Sequence, residues 1–153
     1  MEQNEQMQAL FVSELQQREW TYDAEENVIT TGVGITEELT ALIHILTSED
    51  AYTVMCALDL DIPEECENEV SAFTDLVNMG LVMGGFYVDR QEHLLVFRIS
   101  GICIGQMPCE EQVMAAVDYP VEMATAACDA LAAMIGGASA DEAYQIYMNS
   151  EEE

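Results

Sequence analysis

CALDLDIPEECENEV, Cys56 to Val70, is either a metal-binding loop or the joint between a strand and a helix. A calcium loop of the EF-hand type needs oxygen ligands at alternating positions, glycine at its sixth and a bidentate glutamate at its twelfth. Counted from Asp59, the sixth position is Glu64 and the twelfth is Val70, so the loop reading fails. The joint reading fits. Pro63 ends an extended run and suits the first turn of a helix. Cys66, Val70, Phe73 and Val77 then recur at steps of four, three and four, with polar residues between them. That is one apolar stripe on a solvated helix. Glu64, Glu65 and Glu67 fall in its first turns, where negative charge gains about 0.3–1 kcal/mol per group against the helix dipole.

Upstream, ELTALIHILTSEDAYTVMCALDL (Glu38–Leu60) has two apolar runs joined by the polar turn Thr47–Asp50, a hairpin signature. One face collects Leu39, Ala41, Ile43 and Ile45 with Tyr52, Val54, Cys56, Leu58 and Leu60. The other carries Thr40, Leu42, His44 and Leu46 with Thr53, Met55, Ala57 and Asp59. This second face is more apolar than a solvated sheet face should be. Leu42, His44, Leu46, Met55 and Ala57 are therefore the candidate dimer or partner surface.

The remaining elements follow from the same periodicities. Met7, Leu10, Phe11 and Leu15 make residues 3–18 an amphipathic helix, and WTYDAEENVITTGVGI (Trp20–Ile35) reads as two short extended segments. GGFYVDRQEHLLVFRISGICI (Gly84–Ile104) is a second hairpin, with Phe86 and Val88 opposite Leu95, Phe97 and Ile99. A helical phase from Val113 to Ile135 survives Pro120, which predicts one kinked helix or two nearly collinear ones. Ser139 and Glu142, in capping-box spacing, open a short terminal helix over 139–149. The order α-β-β-β-β-α-β-β-α predicts an α+β fold, an antiparallel sheet with helices packed on one face. We expect a single domain over residues 1–153 with its core at about 5–137.

Composition narrows the function. Three Lys+Arg face 30 Asp+Glu, a formal net charge of −27, and the three are Arg18, Arg90 and Arg98. Such a chain repels nucleic acid and anionic lipid, and without lysine it has neither Schiff-base chemistry nor a P-loop. The N-terminus lacks the basic and apolar regions of a signal peptide, so a cytoplasmic location is expected. Five cysteines (Cys56, Cys66, Cys103, Cys109, Cys128) form no C-x-x-C pair, and are expected to be reduced and mostly buried.

No constellation in the sequence amounts to an active site. His44 and His93 lack metal or catalytic context, and each reads as a solvated or hydrogen-bonded histidine. Cys103 and Cys109 with His93 match no zinc spacing. GVG at Gly32–Gly34 lacks the third glycine of a dinucleotide loop. Met114, Met123 and Met134 read as core packing. No enzyme activity, cofactor or metal is expected.

WTYDAEENVITTGV, the strand–Pro63–helix run ending in Asn78, and GGFYVDRQEHLLVFRISG resemble the YbjN family over roughly residues 5–137. Its domains are described as regulators of bacterial sensory transduction, with a fold like that of type III secretion chaperones. Ile62-Pro63-Glu64-Glu65 and Gly85-Phe86 with Asp89 match most closely. The resemblance implies a protein-binding domain, often dimeric, that holds or regulates a client. A small-ligand or divalent-cation sensor is the alternative.

Overall fold

The computed structural model describes residues 3–151, so the ends of the expected 1–153 span lie outside the described residues. Helix α1 (Gln3–Gln17) leads into strands β1 (Tyr22–Glu25), β2 (Val28–Gly34), β3 (Thr40–Thr47) and β4 (Ala51–Leu58). Helix α2 (Glu67–Asn78) precedes β5 (Gly85–Asp89) and β6 (Leu94–Ile102). Three helices close the chain: α3 (Glu110–Ala126), α4 (Cys128–Ile135) and α5 (Ala140–Glu151). The architecture is the expected α+β one, with all strand pairs antiparallel in the order β1-β2-β3-β4-β6-β5.

Alternation along the strands decides which side is buried. Ile29, Ala41, Ile43, Ile45, Val54, Cys56, Leu58, Leu95 and Phe97 point to one face, where Phe11, Phe73, Val117 and Leu131 of the helices complete the core. Full burial of a side chain of this size stabilises by about 1.5–3 kcal/mol. Phe86 and Phe97, directly paired across β5 and β6, meet edge to face at 4.9 Å. The strand-to-helix joint is as expected. Pro63 precedes one 3-10 turn, Glu64–Cys66, and α2 starts at Glu67.

Arg18 ties α1 to α3. Its guanidinium donates to Glu14 at 2.7 Å and Asp118 at 2.6 Å and stacks over Trp20 at 5.0 Å.

Three details differ from expectation. Pro120 lies inside α3, and the division into two helices comes later, at Ala127. There Thr125 Oγ1 donates to the Val121 carbonyl at 2.6 Å and Cys128 Sγ to that of Ala124 at 3.6 Å. Side chains that bond back to the previous turn compete with the helical ladder and bend it. Of the five thiols, all free, only Cys56 is buried; Cys66, Cys103 and Cys128 are half-buried and Cys109 is exposed. Of the three methionines, Met123 and Met134 enter the core while Met114 is 40% exposed.

Candidate functional site

The outer face of the sheet is left open, and strand register arranges its side chains in rows. Gly32, Leu42, Ala57, Val96 and Tyr87 form one row across β2, β3, β4, β6 and β5. Thr30, His44, Met55, Arg98 and Gly85 form the next, and Val28, Leu46, Thr53 and Ser100 the one beyond. From β2 to β5 these rows carry no carboxylate, but on β1 the second ends in Asp23, opposite Thr30, and the third in Glu25, opposite Val28. Val28, Leu46 and Tyr87 are each more than a third exposed, which is unusual for large apolar groups gathered on one sheet.

A groove of about 440 Å³ runs through this face, lined by Leu42, His44, Met55, Ala57, Tyr87, Asp89, Glu92, Leu94 and Val96. Its floor is apolar, and Asp89 and Glu92 supply acid at one rim. Four of the five residues singled out from the sequence line it; Leu46 lies outside, one row beyond His44 and Met55. The β5–β6 wall escaped sequence reasoning because β4 pairs with β6 rather than with β5. The Tyr87 hydroxyl reaches Met55 Sδ at 3.6 Å, and burial raises its pKa although Arg98 opposes this.

The cations of the chain divide unevenly. Arg18 is held by Glu14 and Asp118, and Arg90 by Glu67. Arg98 stands exposed on the outer face and forms no ion pair among the described residues.

The second polar cluster corrects the sequence reading of Glu67. Expected on a solvated helix face, it is buried. Its Oε1 pairs with His93 Nδ1 at 2.7 Å and its Oε2 with Arg90 Nη1 at 3.3 Å. The hydrogen bond to Glu67 holds the His93 imidazole above its ordinary pKa. His93 has a left-handed backbone, φ 60°, and its carbonyl accepts the Ile62 amide at 2.8 Å. The cluster pins the β5–β6 turn to the start of α2.

The other sequence candidates are dispersed. Asp59 and Asp61 are exposed at the strand exit, and Glu64 and Glu65 are exposed in the turn that follows. Among the described residues, no three His, Cys, Asp or Glu side chains gather where a metal ion would sit. Burial pushes the Cys56 thiol up to about 12, far from the range of a reactive thiolate. No helix among the described residues is long and apolar enough to cross a membrane.

Residues 11–133 match the family model of YbjN, described as "Putative bacterial sensory transduction regulator". The chain belongs to the YbjN family. The match spans the YbjN core from α1 to α4 and so includes every strand and both walls of the groove. No curated protein and no solved structure matches the chain.

Proposed function

We propose that this YbjN chain is a non-enzymatic protein-binding module, chaperone-like or regulatory, whose contact surface is the open face of the sheet. It acts as a homodimer and holds or regulates a protein client. The observation that supports this is the apolar groove through Leu42, Met55, Ala57, Val96 and Tyr87, with Leu46 exposed beside it, on a face that the chain's own helices leave uncovered. Family membership supports the regulatory part.

The test places a photo-crosslinking amino acid at Leu46 and, as a control, at Glu122 on exposed α3, in cells that naturally contain the protein. Discrete crosslinked proteins from position 46 and none from position 122 are expected. Equal or absent crosslinking at the two positions would sink the reading.

The groove's size favours a second reading, a small-ligand sensor, since ligand pockets span about 300–1,000 Å³. A saturable one-to-one heat on titrating a divalent cation or small metabolite would support it over the first.

A further inference from the structure

We infer that the outer face takes an extended segment of a client protein in which a large apolar side chain stands between a basic one and an acidic one, at alternate positions. This rests on the reading of that face as a protein-binding surface and adds the chemistry of what binds.

Charge changes sign along the strands of this face. At one end Asp89 and Glu92 stand on the groove's rim. Asp59 joins them, two residues past Ala57, where its amide donates to the Thr40 carbonyl at 2.9 Å and carries the β3–β4 ladder onward. The middle is the apolar row of Leu42, Ala57, Val96 and Tyr87. At the other end Arg98 is exposed, in one row with His44 and Met55. A second cavity of about 340 Å³ opens there, bordered by Arg98, Ser100 and the side-chain-free Gly84 and Gly85. Tyr87 borders both cavities, so they adjoin.

Register sets the spacing. Leu94 pairs with Asp89 and Arg98 with Gly85, so the acidic and cationic ends are four residues apart along β6, about 13 Å. An extended chain presents alternate side chains to one side, so its first, third and fifth side chains cover that same distance. The basic one meets Asp89 and Glu92, the apolar one Val96 and Tyr87, and the acidic one Arg98. The contacts are satisfied in either chain direction.

Charge also sorts the clients. The chain carries −27, so a purely acidic segment is repelled wherever it lands except at Arg98. A purely basic segment is drawn in at long range but sets one of its cations against Arg98. Arg98 is available because it forms no ion pair among the described residues, whereas Arg18 and Arg90 are engaged. Asp23 ends the Arg98 row four strands away, about 19 Å, too far for a direct pair. Both charged ends are open to solvent, so they select partners more than they tighten them, and the apolar middle carries the affinity.

Capped heptapeptides titrated into the isotope-labelled full chain at physiological salt, and followed by amide chemical shifts, are the test. In each, serines alternate with a test set: Lys, Phe, Glu in the first peptide, Lys, Phe, Lys in the second, and Glu, Phe, Glu in the third. The first should bind saturably, shift the Val96 and Tyr87 amides, and bind at least about tenfold more tightly than the third. Arg98→Glu should weaken the first about tenfold and make the second the tightest ligand. Arg98→Gln should weaken the first without that reversal. Unchanged shifts away from the face show that each variant is folded. The same order of peptides for R98E as for wild type overturns the polarity, and no saturable shift from any peptide overturns the segment. In that case discrete crosslinks from Leu46 leave the face a protein-binding surface of other chemistry, and their absence removes that reading as well. Shifts at these residues that follow protein concentration alone assign the face to a second copy and overturn the client segment.

Discussion

Asn78 completes the hydrogen bonding of Phe86. Its Oδ1 accepts the Phe86 amide at 2.8 Å and its Nδ2 donates to the Phe86 carbonyl at 2.9 Å. A side-chain amide at the end of α2 thus takes the place of a neighbouring strand at the edge of the sheet. Asn78→Ala should cost about 1–3 kcal/mol, because it leaves a donor and an acceptor unpaired at a half-covered edge. Asn78→Asp keeps the acceptor, loses the donor, and should fall between the two. Urea unfolding gives the stabilities, and hydrogen exchange should show loss of protection at the Phe86 amide. Unchanged exchange at that amide would show that the pairing does not persist in solution.

Thr47 presents the opposite case. Its Oγ1 is buried without a hydrogen-bond partner among the described residues. Thr47→Val preserves shape and removes the orphan hydroxyl, and should stabilise the fold by about 1 kcal/mol. A rise in Tm checks this. A fall would mean that the hydroxyl finds a partner.

The Glu67–His93 pair makes stability depend on pH in a defined direction. The pKa of His93 is raised in the folded protein, chiefly by its hydrogen bond to Glu67. The folded state therefore binds the proton more tightly than the unfolded chain, whose histidine titrates near 6.5. The contribution is fully present below about pH 6.5 and is lost as pH rises through the higher folded value. Wild type should lose its advantage over His93→Gln across that window, as measured by urea midpoints at a series of pH values. Parallel pH profiles for the two proteins would refute the linkage.

Salt acts on the whole molecule. With a net charge of −27 the folded chain repels itself, and added salt screens that repulsion within about 10 Å at 0.1 M. Tm should rise from low salt to physiological ionic strength. Magnesium and sodium chloride compared at equal ionic strength should give similar curves if screening is the cause. A Tm indifferent to salt counts against the account.

Much of the fold was written in local periodicity. Ala41, Ile43 and Ile45 alternate with Leu42, His44 and Leu46, and a period of two leaves one assignment to faces. Pro63 marks the joint, and Ser139 with Glu142 forms the expected cap, the Glu142 amide donating to Ser139 Oγ at 3.2 Å. What was illegible depends on long-range partners. Glu67 sits among exposed acids in the sequence, and only the folded chain brings Arg90 and His93 to it, from 23 and 26 residues away. The groove was half legible for the same reason. Leu42, His44, Met55 and Ala57 follow from one hairpin, whereas Tyr87, Asp89 and Val96 join them only because β6 inserts between β4 and β5.

The amide clasp of Asn78 also limits how this sheet can grow. A filament built by strand addition needs a free edge at both ends of every subunit. Here the β5 end is interrupted at Phe86, and the β1 end is four residues long and carries Asp23 and Glu25. Strand addition is hindered at both ends of the sheet, so a protein half of whose residues are hydrophobic guards itself against edge-to-edge growth.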